Sequence, residues 1–208
     1  MRRLSLKLWC ASLLLGALLF GCVSLDRSYP EKHYFVLEIN RDAKPLEDPL
    51  NGIVEVADMH ISPRYEGQSF IYRISEGGYE SDFYNQFLIA PAALVTEEVR
   101  RGLAQSGISQ YVVNSSSPIQ PTYRLDGTVN AIYGDFRNAS TARAVLEMEF
   151  FLTKPAPGAT QVLMAKRYSK SVSLSSRTPE ALVRGWDQTL EEILRSLIAD
   201  LKAANLPQ

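Results

Sequence analysis

Catalysis and metal binding draw on few side-chain types, and the scarcest here are quickly counted: His33, His60, Cys10 and Cys22 are all the histidines and cysteines of the chain. Structural zinc sites take four nitrogen or sulfur ligands and catalytic sites three protein ligands, and a thiol nucleophile needs a nearby base, so neither chemistry can be assembled from this set. No Gly-x-Ser-x-Gly turn is present to raise a serine for acyl transfer. Two carboxylate pairs remain, Glu76 with Glu80 around Gly77, Gly78 and Tyr79, and Glu147 with Glu149 two apart on one side of a strand. Glycan cleavage requires two acids whose environments push their pKa values apart. Neither pair lies in an apolar setting, so both read as solvated faces. Gly77 and Gly78 lack the flanking pattern and the lysine of a phosphate-binding loop. The expectation is a chain that is not an enzyme, with no catalytic residue, no metal and no cofactor.

The reactive position that stands out is Cys22. Arg2, Arg3 and Lys7 precede an apolar run from Leu8 to Phe20, the order of a secretory signal. That run is shorter than the roughly 20 residues of a membrane span, and Ser24, Asp26 and Arg27 soon follow it. Leu19, Phe20, Gly21 and Cys22 resemble a bacterial lipobox, in which cleavage before the cysteine frees an amine and its sulfur takes a diacylglyceryl group. Several acyl chains, at about 0.8 kcal/mol per buried methylene, anchor firmly where one gives marginal binding. Cys10 lies in the segment removed, so the mature chain carries one thiol at its first position and no disulfide. Val23 stands where lipoproteins retained in the inner membrane of a Gram-negative envelope carry aspartate, which directs the expectation to the periplasmic face of the outer membrane. Residues 1–21 are therefore read as a lipoprotein signal peptide, 22–32 as lipidated N-terminus and tether, and 33–208 as one periplasmic domain.

Composition fits a single globular domain: 208 residues, 46% hydrophobic and 22% charged. Net charge is -1 for the whole chain and -4 once the three basic residues of the signal segment are gone, too little cation for a nucleic-acid surface. The unusual local feature is aromatic. Tyr65, Phe70, Tyr72, Tyr79, Phe83, Tyr84 and Phe87 fall within 23 positions, with Arg64 next to the first and Arg73 among them. Alternation along a strand buries one side only, and aromatic and arginine side chains are enriched in protein interfaces. Arg64, Tyr72, Arg73, Tyr79, Phe83, Tyr84 and Phe87 are the candidate interface.

The elements that must position them follow from periodicity. His33 to Ile39 reads as a first strand, Gly52 to Ile61 as a second with a bulge near Ala57 and Asp58, and Phe70 to Ile74 as a third that turns through Gly77 and Gly78 into Tyr79 to Ile89. Pro91 opens an amphipathic helix through Leu94, Val95, Val99 and Leu103, closed by Gly107, with Glu97 and Glu98 read as its negative start and Arg100 and Arg101 as its positive end. Ile108 to Asn114 reads as a short strand. A long strand from Tyr123, then Ala144 to Thr153 and Gln161 to Leu174, suggest an antiparallel meander. Thr178 and Pro179 cap a last helix whose Leu182, Trp186, Leu190, Ile193, Leu197 and Leu201 recur at threes and fours, with Trp186 in the core. The expected fold class is α+β: a mostly antiparallel sheet packed against two long helices in a two-layer sandwich.

The chain also resembles the ABC-type transport auxiliary lipoprotein family, including the outer-membrane lipoprotein of the paraquat-inducible MCE system. The likeness runs through His33-Tyr34-Phe35-Val36-Leu37, the strand from Ile53 to Pro63, Ile71-Tyr72-Arg73, the aromatic strand Tyr79 to Phe87 leading to Pro91, Leu103 to Gly107 before Val112, Tyr123-Arg124-Leu125-Asp126-Gly127, and the helix from Pro179. The resemblance implies a non-enzymatic component of a lipid-transport route. Its partner would be an MCE-domain protein bridging the periplasm, and its assembly a homo-oligomer, with a ring as one form. Another reading is a lipoprotein partner of an outer-membrane β-barrel or an activator of a cell-wall enzyme; a lipid or glycan hydrolase is a third.

Overall fold

The computed structural model describes residues 31–39, 46, 49–138, 140–156 and 158–204. The expected signal peptide 1–21, the lipidation site Cys22 and the tether up to residue 30 lie outside the described residues, as does most of the expected loop before Pro49. From Lys32 onward the chain forms one compact unit.

One strand organises the sheet. β7 (Tyr123–Asp135) is long, and its burial alternates from Tyr123 to Val129, the signature of a strand with one face on a core. Along one edge it pairs antiparallel with β8 (Arg143–Lys154), which pairs antiparallel with β9 (Gln161–Ser173), forming the expected meander. Its other edge is shared by three strands in succession, all parallel to it. Val54 to Val56 of β2 (Leu50–Val56) face Tyr123 to Leu125, β3 (His60–Ile61) faces Thr128 and Val129, and the end of β4 (Ser69–Arg73) faces Gly134 and Asp135. Beyond β2 lies β6 (Ser109–Asn114), again parallel; beyond β4 come β5 (Tyr79–Phe87), antiparallel, and β1 (His33–Phe35), parallel to β5.

The nine-stranded sheet is therefore mixed, not mostly antiparallel as the sequence suggests. Tight turns reveal hairpins, but the parallel pairs join segments far apart in sequence, and an alternating pattern carries no sign of strand direction.

The bulge expected near Ala57 and Asp58 is a full break that divides the expected strand in two. Ala57 N–H still donates to the Leu125 carbonyl, but Met59 N–H turns to the hydroxyl of Thr96, separating β2 from β3 along the same edge. The first strand is shorter than its pattern implies. After Phe35 the backbone leaves β5, and two carboxylates take its amides: Glu38 N–H donates to Asp187 Oδ1 at 2.9 Å and Ile39 N–H to Glu98 Oε2 at 2.9 Å.

Those acids sit on the two helices. α1 (Pro91–Ser106) has Pro91 at its first turn and ends on Gly107, whose φ of 65° is left-handed backbone that glycine adopts without penalty. Glu97 and Glu98 lie mid-helix and no acidic residue occupies the first turn, so the expected match of charge to helix dipole is absent. Glu98 instead points inward, pairing with Arg101 Nη2 at 2.6 Å while it holds Ile39. α2 (Pro179–Ala203) starts at Thr178, whose hydroxyl accepts from Ala181 N–H.

α2 packs on β8 and β9, and α1 on β6, β2 and α2. Gly185 lets α2 approach closely: a Cβ there would fall 2.6 Å from the Cβ of Ala144 on β8. One residue on, Trp186 is fully buried, its ring 4.9 Å from Phe70 and 5.2 Å from Phe87, and its Nε1 donates to the Tyr133 carbonyl at 3.3 Å. Phe35 continues the stack onto Phe70 at 5.2 Å.

Burial pushes the Asp187 carboxyl up to about 7; the bond from Glu38 N–H opposes this, while the negative charges of Glu98 and Glu38 add to it. An unfolded aspartate ionises near pH 4, so from about 4 to about 7 this group makes the fold lose stability as pH rises, and the loss persists above 7. Asp187→Asn keeps the Oδ1 acceptor and carries no charge. It is expected to raise stability in urea unfolding by about 1 kcal/mol above pH 7, after allowance for solvent screening, and by nothing near pH 4. Equal midpoints for variant and parent above pH 7 would contradict this account of the carboxylate.

Candidate surface site on the β4–β5 hairpin

The seven aromatic and arginine residues expected at an interface all lie on or near β4 and β5, yet the structure divides them among three environments. Phe87 belongs to the core: it is 2% exposed and packs on Phe70 and Trp186. Its place in the candidate interface is corrected, because it alternates onto the face that α2 covers.

Arg64, Arg73 and Tyr79 form a second group. Arg73 pairs with Tyr79 across the hairpin, and Ser62 to Tyr65 bring Arg64 alongside through a single turn of 3-10 helix. The Arg64 guanidinium carbon lies 5.1 Å from the centre of the Tyr79 ring and that of Arg73 5.9 Å away, both within cation–π reach. Tyr79 meets Tyr133 edge-on at 6.0 Å, and Tyr65 stacks on Tyr133 at 6.2 Å. Sequence reading missed Tyr133 because it follows a register shift between Val129 and Ala131, beyond the strand's regular alternation.

Ion pairs secure the base of this group. Arg73 Nη2 bonds Glu76 Oε2 at 3.1 Å, and Arg137 joins Glu76 at 2.7 Å to Asp135 at 2.7 Å. The hydrogen bond from Arg137 holds the Asp135 carboxyl below the usual carboxylate range against the opposing effect of burial. The Nε of Arg73 is buried without a hydrogen-bond partner.

The third group is built by Asp82. Between the pairs Ile71 with Ser81 and Ser69 with Gln86, β5 uses more residues than β4, so it bulges outward. Asp82 closes the bulge as a four-way acceptor: Oδ1 takes Tyr84 N–H at 2.8 Å and Asn85 N–H at 3.0 Å, and Oδ2 takes Asn85 Nδ2 at 2.8 Å and the Tyr72 hydroxyl at 2.7 Å. Burial raises the Asp82 carboxyl, but these donors outweigh it and its pKa lies below the ordinary value; burial and Asp82 together raise the Tyr72 phenol. Tyr72 thus serves as a brace, stacked on Phe136 at 5.0 Å. The residues thrown outward are Phe83, 65% exposed, and Tyr84, 40% exposed, touching edge to face at 5.2 Å.

The other candidate chemistry disperses. Glu76 is taken up by Arg73 and Arg137, Glu149 pairs with Arg167 and Glu147 accepts from Ser169, while His33 and His60 are exposed on separate strands. Among the described residues no group of three histidine, cysteine or acidic side chains is placed to hold a metal ion, and no helix is long and apolar enough to cross a membrane.

Residues 35–198 match the family model described as the ABC-type transport auxiliary lipoprotein component. In fold, the chain is similar to a Xanthomonas campestris protein of the DUF330 family, with a TM-score of 0.70 and 16% identity over 80% of this chain and 92% of that one. It is also similar to an uncharacterized protein at TM-score 0.58 and 16% identity, covering 80% and 99%, and less closely to a hypothetical protein of Chlamydia trachomatis at TM-score 0.47 and 12% identity, covering 74% and 99%. None of the curated proteins matches the chain.

Asp82→Ala would strip one acceptor from four donors. The expected loss is about 1–3 kcal/mol at neutral pH, with faster amide exchange at Tyr84 and Asn85. Because the Asp82 pKa is depressed, its contribution is present above the ordinary aspartate pKa and fades as pH falls through the folded value. Unchanged exchange at those two amides would show that the bulge does not depend on Asp82.

Proposed function

The chain belongs to the ABC-type transport auxiliary lipoprotein family, and from that premise we propose that it is a non-enzymatic, lipid-anchored docking component. It sits on the periplasmic face of the outer membrane through acyl chains on Cys22, after removal of residues 1–21, with residues 22–32 as tether and the domain beyond as the protein-binding body. There it receives the distal end of an MCE-domain protein of the transport system and assembles with further copies of itself, a ring being one form.

The observation that carries this reading is the packing of exposed Arg64 on half-buried Tyr79, backed by Arg73. Arginine and tyrosine, with tryptophan, are enriched among the residues that anchor protein interfaces, each bringing a broad planar surface and a polar tip for specificity. Here the tyrosine is held from behind by Tyr133 and the hairpin by the Glu76 and Asp135 ion pairs. A surface already ordered loses little entropy on binding. Docking of this kind needs no nucleophile, and the dispersal of the histidines and carboxylates is consistent with that.

Pull-down of the intact lipoprotein from its own envelope in mild detergent, with mass spectrometry of the partners and the mass of the complex, tests the reading. An MCE-domain protein with several copies of this chain is expected. A lone monomer, a β-barrel or a cell-wall synthase would overturn it. Arg64→Glu, at an exposed position, is expected to reduce recovery of the MCE protein about tenfold or more while leaving thermal unfolding unchanged. Cys22→Ala is expected to leave the domain folded and release it from the membrane; a variant that stays bound would remove lipidation from the account.

A further inference from the structure

Eleven large hydrophobic side chains are exposed among the described residues, and six of them come from two short stretches: Tyr34 and Val36, then Phe83, Tyr84, Leu88 and Ile89. The fold makes these stretches neighbours. β1 lies beside β5 with Tyr34 opposite Gln86, and Leu88 N–H donates to the Phe35 carbonyl just beyond the strand. Phe35 points into the core against Phe70, so alternation turns Tyr34 outward. Lys32 places its ammonium 4.5 Å from the centre of the Phe83 ring. The result is an apolar and aromatic patch with a lysine at its margin, at the end of the sheet opposite β6.

We infer that this patch rests in the interfacial layer of the lipid bilayer that holds the acylated N-terminus, so that the domain touches its membrane at Tyr34, Phe83, Tyr84, Leu88 and Ile89. The inference rests on the proposed acylation of Cys22. Three features select lipid over protein as the occupant. The chain reaches the described domain at this patch, and Lys32 lies only ten residue steps from Cys22, so at about 3.3–3.6 Å per residue the anchor can lie no farther than roughly 35 Å away. The composition is that of an interfacial belt: tyrosines with a polar tip, a protruding phenylalanine, aliphatic side chains, and a lysine whose ammonium lies over the phenylalanine ring. The protrusion is built, since the Asp82 cluster spends four hydrogen bonds on keeping Phe83 and Tyr84 outside the sheet. A wedge of one or two aromatic rings suits a fluid layer, which requires no complementary pocket. The Arg64 and Tyr79 surface then stays free for protein.

The test uses the full lipidated chain reconstituted in phosphatidylcholine vesicles, with and without bromine on the acyl chains. Trp186 is buried and Trp9 lies in the signal segment, so a tryptophan placed at the surface reports its own surroundings. Phe83→Trp is expected to lose emission at least about twofold in brominated vesicles, as an indole seated about 5–10 Å into the boundary of headgroups and chains should. Tyr111→Trp, also exposed but on β6 at the other end of the sheet, is expected to lose none. Flotation with the vesicles reads the anchor separately. A chain that floats without quenching at position 83, or that shows a blue-shifted but unquenched emission there because protein covers it, overturns the patch. A chain that does not float overturns the anchor and the inference together.

Discussion

The sheet depends on how one edge of β7 is divided. A strand of this length could take one equally long partner there, as it takes β8 on its other side; instead β2, β3 and β4 share the edge, each parallel to it and each for only two or three residues of pairing. The division leaves a stretch of β7 around Ala131 to Tyr133 without a strand neighbour on that side. Tyr65 stacks on Tyr133 from the 3-10 turn that follows β3, which is how Arg64 comes to lie beside Tyr79. At the same residue the Tyr133 carbonyl accepts from Trp186, so the irregular part of β7 is also where α2 is fixed. An indole N–H buried without an acceptor would cost about 1–3 kcal/mol, and this bond orients a ring that touches both Phe70 and Phe87. The surface site and the core are thus two consequences of one irregularity.

How much of this could be read from sequence follows from which forces are local. The repeat from Leu182 to Leu201, Thr178 as a cap and Gly107 as a stop act within a few residues, and each element appears where its pattern places it. The hairpin and the meander were legible for the same reason. Strand direction was not, because Val54 facing Tyr123 or Tyr72 facing Gly134 is decided by the order in which segments reach β7. Nor was the role of Glu98: in sequence it is one of four charged residues on an amphipathic helix, and only the nearby amide of Ile39 explains why it is buried. The candidate site was half visible. The aromatic density of β5 drew attention to these strands, but a strict alternation rule could not foresee the bulge at Asp82 that turns Phe83 and Tyr84 outward while returning Phe87 to the core.

Three half-buried aspartates divide into two kinds. Asp82 and Asp135 are surrounded by donors and lie below the ordinary carboxylate range, so they strengthen the fold when ionised. Asp187 has one donor, the Glu38 amide, and two negative neighbours, and ionising it weakens the fold. The difference lies in the number and sign of partners, since burial opposes the charge in all three. That a destabilising acid persists at this place directs attention to what it holds.

What it holds is the segment that follows β1. β1 pairs with β5 over only three residues and lies at the edge of the sheet, so backbone pairing alone makes a weak attachment for a chain proposed to be pulled from the lipid side. The next four residues compensate. Leu37 and Ile39 are buried in the core, and the Glu38 and Ile39 amides bind one carboxylate on each helix. A load entering at Lys32 therefore passes beyond β1 into α2 through Asp187 and into α1 through Glu98, the two elements that cover the core. Asp187 is half-buried, whereas Glu98 is buried and paired with Arg101. β1 and the aromatic bulge share one end of the sheet, while Arg64, in the 3-10 turn after β3, meets Tyr79 at the start of β5. The chain after β1 is thus fixed to both helices as well as to the sheet edge.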